Sequence, residues 1–527
     1  MNRNEQLKKL NEEPIWDIII IGGGANGLGV AVDSANRGFK TLLLEAVDFA
    51  KGTSSRSTKL VHGGVRYLEQ GNITLVIEAL QERGLMAKNA SHLVKNESFI
   101  IPNYNWWGGF FYTFGLKLYD LLAGKLSLGS SKYLSKEQTI IQIPSIEQKG
   151  LRSGVLYHDG QFDDSRLAIN LAQTAIEQGA CVLNHFKVIQ LLKNNKKQII
   201  GVQAIDQETQ IEYTVKCKAV INATGVFTNA IMKMNDAVYK KYIVPSQGIH
   251  LVFDKSFLPG DNALMIPKTS DGRVLFAVPW HDKIVVGTTD TLVKKTDIEP
   301  IALEEEIQFV LETAQRYLTK KPTRADVLSV FAGLRPLSVP GKEEQNTKEV
   351  SRSHKIIISK TGLISITGGK WTTYRKIAED VVNRTIQVHK LPKRKSATTT
   401  LAIHGNKANS PADFENHLFV YGTDANAILE LQKNEPELNE KLHPNYDYSL
   451  AEVVWAIRYE MAITVEDILA RRVRLLFLDA RAAIESSKKV ADLLAKELGH
   501  DEIWIQNQLA DFKAVANGFL LKEFRLP

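Results

Sequence analysis

A chain of 527 residues, 44% hydrophobic and 24% charged, is long enough for two or three globular domains and too apolar to remain disordered. Only two cysteines occur, Cys181 and Cys217, without C-x-x-C spacing, which excludes a disulfide framework, a zinc site or a dithiol redox centre as the organising feature; no metal is expected. The net charge of +7 suits an anionic partner, whether nucleic acid, lipid or small substrate, but no block of like charge is long enough for a nucleic-acid-binding tail.

The N-terminus, Met1 to Pro14, is polar and has no apolar signal-peptide core, so a cytoplasmic protein is expected. The apolar run Ile18 to Ile21 then enters Gly22-Gly-Gly-Ala-Asn-Gly27. A helical segment follows, and a second apolar run, Thr41 to Leu44, ends in Glu45. This predicts strand, tight turn, helix and strand. Gly22 lets the chain turn, Gly24 lets backbone approach a pyrophosphate, and Gly27 lets helix pack on strand. Glu45, 18 residues after Gly27, is placed to accept hydrogen bonds from an adenosine ribose. Next comes a Gly/Ser/Thr-rich segment, Lys51 to Tyr67, and a predicted helix, Gly71 to Asn89. In the aromatic stretch Tyr104 to Ala123, the residues Phe111, Phe114, Leu118, Leu121 and Leu122 have helical spacing. Two readings stay open there: a core-packing helix, or an interfacial helix with Trp106 and Trp107 at headgroup level.

Further on, a helix is expected over Ser165 to Gln178, a strand over Cys181 to Val188, and a strand Ala219 to Gly225 returning to the nucleotide domain. Gly248 to Phe253, Arg273 to Pro279 and Lys283 to Thr288 read as an antiparallel sheet inserted into that domain. Ile356 to Ile366 leads into Thr367-Gly-Gly-Lys-Trp-Thr-Thr-Tyr-Arg375 and a helix. Beyond the basic connector His389 to Ser396 the chain reads as helical. Ser449-Leu-Ala-Glu452 and Thr464-Val-Glu-Asp467 look like capping boxes, and helices are expected over Asp479 to Leu498 and Glu502 to Leu521. The two Thr-Gly returns favour FAD over a nicotinamide, because an elongated FAD draws contacts from segments distant in sequence, and no second G-x-G-x-x-G unit is present.

The chain resembles the FAD-dependent, aerobic glycerol-3-phosphate dehydrogenase family. The resemblance is carried by Ile21-Gly-Gly-Gly-Ala-Asn-Gly27, the run Thr53 to Leu68, Gly287-Thr-Thr-Asp290, Ala332-Gly-Leu-Arg-Pro-Leu337, Ser351-Arg-Ser-His354 and Gly368 to Arg375, in the family's order. It implies an α/β fold: a Rossmann-like FAD-binding domain with an inserted antiparallel β-sheet substrate domain, plus a C-terminal all-α domain. The expected bounds are 1–392 for the FAD and substrate unit and 393–527 for the helical domain. Within the first, the FAD segments are approximately 15–100, 150–240 and 330–392, and the substrate segments approximately 101–149 and 241–329.

The resemblance implies oxidation of glycerol 3-phosphate, a dianion whose phosphate suits guanidinium forks. Arg66, Tyr67, Arg335, Arg352 and Lys370 match the family's substrate positions. His62 is the candidate base, since imidazole titrates near neutrality; a structural histidine beside the flavin is the alternative. Arg335 and Lys370 are also candidates to stabilise a developing alkoxide. The expected FAD contacts are Gly22, Gly24, Asn26, Gly27, Glu45, Thr53, Ser54, Ser55, Lys59, Val61 and His62. Val188, Ala223, Gly225, Gly333, Lys370 and Thr372 join them on the expected convergence of segments. Gln247 stands where some relatives carry Lys, which leaves open whether its strand adds a cation.

Membrane quinone is the expected electron acceptor. Peripheral attachment to the anionic inner face of the cytoplasmic membrane follows from it, without a transmembrane span, and a homodimer is compatible with this. An oxidase releasing hydrogen peroxide, an amine or amino-acid oxidase on the same fold, and an FAD-containing RNA-binding protein are the rival readings.

Overall fold

Trp16–Ile21 forms a strand because its apolar residues are covered on both sides of the sheet, as parallel strands require. The computed structural model describes residues 1–64, 72–105, 108–269, 272–338, 354–408, 414 and 416–526. Trp16–Ile21 pairs in parallel with Thr41–Leu44 on one side and Glu212–Asn222 on the other, with Ile19 opposite both Leu42 and Val220. Cys181–Leu183 extends the sheet past Thr41–Leu44, and Ile364–Thr367 extends it past Glu212–Asn222. The strand expected near Ala219 therefore does return beside the first one. The single strand expected over Cys181 to Val188 breaks instead at His185, which has φ 51°. Its second half, Phe186–Lys193, pairs with Ile199–Asp206.

The glycine-turn helix, Ala25–Asn36, contacts both Asp164–Glu177 and Tyr374–His389. Gly29 permits the second approach, since a Cβ there would fall 2.9 Å from the Tyr374 ring.

Among the described residues, the second sheet has ten strands. Its long members are Lys95–Asn103, Ser153–Gln161, Ile243–Asp254 and Ser329–Ser338. Its ladders are antiparallel except that between Ala263–Ile266 and Lys95–Asn103. Strands from before and after the expected insertion, among them Leu60–Val61 and Ser329–Ser338, belong to this sheet. It therefore abuts the glycine turn, and a cavity opens between the two sheets. The aromatic stretch is the helix Gly108–Ala123, but its apolar face is not core: Phe111, Phe114, Leu118 and Leu121 are exposed, while Leu116, Tyr119 and Ala123 pack inward. Trp106 and Trp107 lie outside the described residues.

The C-terminal segment is helical, with Leu450–Tyr459, Ala480–Leu498 and Glu502–Asn517 as main helices. Ser449 and Glu452 form the expected capping box. Thr464 and Asp467 bond reciprocally at 3.1 Å, but they open a π-helical turn, Asp467–Arg472, rather than an α-helix. This segment has no isolated core. Phe477, Leu476 and Val465 cluster with Val252, Trp280 and Phe331 of the second sheet, and Tyr421 and Ile428 join the core of the first.

One polar link between these parts titrates. His404 bonds Asp424 at 2.8 Å and Glu177 at 2.5 Å. Burial alone would lower its pKa, but the two carboxylates outweigh burial and raise it to about 9. The stabilisation is thus full below the ordinary histidine pKa near 6.5 and disappears as pH rises through about 9. His404→Gln should destabilise the protein by about 1–2 kcal/mol at pH 6, and the melting temperatures of variant and parent should converge above pH 9. A difference independent of pH would contradict this.

Candidate active site

The cavity between the sheets has a volume of about 1500 Å³, larger than the ~300–1,000 Å³ of common small-molecule sites. Its first wall is the glycine turn. Gly22 has φ 109°, and a Cβ there would fall 2.8 Å from the Ala223 carbonyl oxygen. Gly24 is the N-cap of the helix Ala25–Asn36, and Gly24, Ala25 and Asn26 line the cavity, so the positive dipole end of the helix faces it. Glu45 accepts N–H bonds from Gly23 at 2.5 Å and Val47 at 2.9 Å. Its oxygens keep further lone pairs for a ribose.

Gly22, Gly24, Asn26, Glu45, Thr53, Ser54 and His62 all line this cavity, as do Val188, Ala223, Gly225, Gly333, Lys370 and Thr372. Cross-links hold these distant segments together. Ala25 N–H donates to Ser54 Oγ at 2.9 Å, Trp371 Nε1 donates to the Ser54 carbonyl at 2.8 Å, and Thr53 Oγ1 donates to the Leu334 carbonyl at 2.5 Å. Asn26 reaches the Gly368 carbonyl at 3.3 Å, and His62 N–H donates to Thr372 Oγ1 at 3.3 Å.

Four expected cofactor residues do not line the cavity. Gly27 sits behind the turn, where a Cβ would overlap the Gly22 carbonyl oxygen at 1.9 Å. Val61 is buried in the ladder opposite Gly160. Ser55 is buried, and its carbonyl accepts from Lys59 Nζ at 2.6 Å and Arg474 Nη2 at 3.1 Å. Lys59 is wholly buried and pairs with Asp164 at 2.7 Å, so its charge serves the interior. Arg66, Tyr67 and Arg352 lie outside the described residues.

Arg335 lines the cavity from the strand Ser329–Ser338. Its guanidinium donates to the Thr289 carbonyl at 2.9 Å and Thr288 Oγ1 at 3.0 Å, with Asp290 at 3.5 Å. It lies against Gly248, where a Cβ would come within 2.3 Å of Nη2. The glycine thus makes room for a fixed cation. Gly248 and His250 face the cavity, and strand alternation turns Gln247 the other way. Gln247 donates to Glu306 Oε2 at 2.7 Å and the Ile301 carbonyl at 3.0 Å, and is not a cavity residue.

His250 and Arg273, neither of them among the site residues expected from sequence, also line the cavity. His250 stacks on Phe331 at 4.9 Å and bonds Thr58 Oγ1 through Nε2 at 2.9 Å. Burial, then Lys59 and Arg335, push its pKa well below the ordinary value, so the ring is neutral. The period-2 pattern Ser246, Gly248, His250 was the available signal.

Comparisons with known proteins agree with this geometry. A family model described as FAD dependent oxidoreductase matches residues 17–375, and one described as the C-terminal domain of alpha-glycerophosphate oxidase matches residues 359–503. The mitochondrial glycerol-3-phosphate dehydrogenase of Schizosaccharomyces pombe is 38% identical, covering 95% of this chain and 87% of that protein. This chain belongs to the FAD-dependent glycerol-3-phosphate dehydrogenase family. The human mitochondrial relative is 39% identical over 96% of this chain and 74% of its own length. The X-ray structure of the glycerol-3-phosphate dehydrogenase from Bacillus halodurans, complexed with FAD, superposes with a TM-score of 0.80 at 28% identity, covering 100% of this chain and 99% of that one.

The family's cofactor fits the residues present. Gly22 and Gly24 bring bare backbone to the cavity wall, Gly24, Ala25 and Asn26 of the helix start line it, and Arg335 and Lys370 line the same cavity. FAD is the cofactor of this family member.

Proposed function

We propose that this chain oxidises sn-glycerol 3-phosphate to dihydroxyacetone phosphate and passes the electrons to a membrane quinone. The observation that carries the substrate assignment is that Arg335, Lys370 and His62 share one cavity with the FAD cradle in a chain of this family. Bound FAD supplies the acceptor for the hydride that leaves carbon 2 of the substrate.

In this reading, Arg335 and Lys370 hold the phosphate, and Arg66, Tyr67 and Arg352 are assigned to the same role from sequence. Arg335 meets the dianion already oriented by Thr288 and Thr289, so little ordering is required on binding. The substrate hydroxyl gives its proton to His62, whose half-buried side chain faces the cavity. His250 is a poor base by comparison, because its depressed pKa disfavours holding a proton. Its place is as a neutral wall under Gly287.

His62→Ala should slow flavin reduction by about 10²–10⁴-fold, the range of general-base contributions. It should also remove the pH dependence that the base imposes on flavin reduction. Stopped-flow reduction at several pH values checks this; a parent-like rate and profile would remove His62 as the base.

The quinone part draws support from the dehydrogenase names of the curated relatives and from an exposed apolar helix. Among the described residues, no helix is long and apolar enough to cross a membrane, so attachment would be peripheral, on the cytoplasmic face. The test is turnover of glycerol 3-phosphate with either a quinone analogue or air as acceptor. Faster turnover with the quinone supports the dehydrogenase. Faster turnover in air, with stoichiometric hydrogen peroxide, makes the protein an oxidase.

A further inference from the structure

The strand Leu60–Val61 ends one residue before His62, with Val61 opposite Gly160 in the antiparallel ladder. The ladder therefore does not itself fix the direction of the imidazole; that falls to the bonds of the next two peptides. The His62 N–H donates to Thr372 Oγ1 at 3.3 Å, a long contact. The Gly63 N–H is held more tightly: it donates to the Tyr119 hydroxyl at 2.7 Å, with Asp159 Oδ1 at 3.4 Å. A Cβ on Gly63 would fall 2.4 Å from Leu80 Cδ2 and 2.5 Å from the Tyr119 hydroxyl oxygen, so glycine is what lets the peptide come this close.

Tyr119 is one of three buried polar side chains brought together from separate elements. Arg83 comes from the helix Ile73–Asn89, Tyr119 from the helix Gly108–Ala123 and Asp159 from the strand Ser153–Gln161; each is at most 2% exposed. Arg83 Nη1 donates to Asp159 Oδ1 at 2.7 Å, and its guanidinium lies 5.7 Å from the centroid of the Tyr119 ring. The Tyr119 hydroxyl is 3.0 Å from both carboxylate oxygens. Burial first, then Asp159, push the Tyr119 phenol well above its ordinary pKa, so it keeps its proton. A hydroxyl has one proton to give. Given to Asp159, it leaves a lone pair turned to the Gly63 N–H, so the carboxylate sets the polarity of the whole chain of bonds. Arg83 balances the carboxylate charge in the interior.

A buried ion pair joined to a phenol is not needed to fill a core, since apolar residues of equal volume commonly stabilise it as well or better. What this cluster adds is a fixed acceptor for the peptide that follows His62. Asp159 itself lines the cavity, as His62 and Gly64 do. We propose, on the reading of His62 as the base, that Tyr119 is a positioning residue for the oxidation of glycerol 3-phosphate, with Asp159 and Arg83 holding its hydroxyl. The hydroxyl anchors the Gly63 peptide, and the anchored peptide holds the His62 imidazole towards the substrate hydroxyl. The phosphate is held from other segments, by Arg335 and Lys370, so loss of the anchor slows proton transfer without loosening the substrate.

The test is Tyr119→Phe, which keeps the ring beside Arg83 and removes only the hydroxyl. Anaerobic stopped-flow reduction of the FAD-loaded protein gives the limiting rate and the half-saturating concentration of glycerol 3-phosphate. The limiting rate should fall about 10–100-fold, the scale of a misplaced catalytic group, while half-saturation stays within about twofold. FAD content and melting temperature report that the variant is folded. The same substitution is then made in His62→Ala. There it should change the rate less than about twofold, because the group it positions is already gone. Asp159→Asn, which puts a donor where the Tyr119 hydroxyl now donates, is the second variant and should slow reduction likewise while half-saturation holds. A Tyr119→Phe protein that reduces at the parent rate, beside a slow His62→Ala, overturns the positioning role and leaves His62 as the base. Equal slowing by Tyr119→Phe with and without His62 makes the cluster a structural one and overturns the proposal too. A parent-like His62→Ala removes the base reading and the proposal with it.

Discussion

Arg335→Ala should lower kcat/KM for glycerol 3-phosphate by about 10²–10³-fold while FAD remains bound, the loss typical when one preorganised electrostatic contact is removed from an active site. The effect is large because Arg335 is not a flexible surface cation. Thr289 and Thr288 hold its guanidinium at 2.9 and 3.0 Å, and Gly248 provides the space it occupies. A dianion bound there would therefore meet a charge already in position. Arg335→Lys should recover only part of the loss, since an ammonium cannot reproduce the planar fork. Glycerol, which has no phosphate, serves as the control: its slow turnover should change little. Steady-state kinetics with a soluble acceptor measure all three, and parent-like kinetics in Arg335→Ala would remove this residue from the substrate site.

Asp48→Ala should destabilise the protein by about 3–5 kcal/mol, the cost of breaking a buried ion pair from one side, and should release FAD at lower temperature. Asp48 is fully buried just after the strand Thr41–Leu44. It accepts from Arg471 Nε at 2.6 Å, Arg472 Nη1 at 2.8 Å and Asn184 Nδ2 at 3.0 Å. Both arginines come from the π-helical turn of the C-terminal segment. Removing the carboxylate leaves them buried with their charge undercompensated, beside the loop that carries Thr53 and Ser54 to the cavity. Arg471 also pairs with Asp467 at 2.7 Å. Burial opposes ionisation of Asp467, but His185, Arg471 and Arg472 outweigh it and hold its carboxyl well below the ordinary range. The contribution is therefore full above the unfolded carboxyl pKa near 4 and fades only as pH falls below it. Chemical denaturation and flavin-release fluorescence at neutral pH give both readouts. Unchanged stability in Asp48→Ala would show that the C-terminal segment does not brace the cofactor loop.

The glycine turn, its helix and Glu45 were legible in the sequence because local backbone chemistry dictates them: the phosphate cradle needs glycine where φ is positive and where chains nearly touch. The cavity residues carried by Thr-Gly returns were legible for a related reason, as strand ends of a parallel sheet. Lys59 was not, because its partner Asp164 lies 105 positions away and nothing in the run Thr53 to Leu60 marks which polar residue turns inward. Gln247 and His250 differ only in strand parity, which becomes readable once one neighbour's direction is known. For the helix Gly108–Ala123, periodicity predicts the element but not which side packs. The narrow strip of Leu116, Tyr119 and Ala123 faces the protein because Tyr119 has a buried partner in Asp159. The bracing of the cofactor loop by Arg471 and Arg472 had no local signature at all, since adjacent arginines in a helical segment read as a solvated surface.

In this reading glycerol 3-phosphate reduces the flavin in the cavity between the sheets. The most direct measurement is anaerobic mixing of the FAD-loaded protein with glycerol 3-phosphate while the flavin absorbance is followed. Rapid, saturable bleaching with one dihydroxyacetone phosphate formed per flavin is expected, and none with glycine or L-proline. A flavin that stays oxidised with glycerol 3-phosphate, in protein shown to hold FAD, would contradict it.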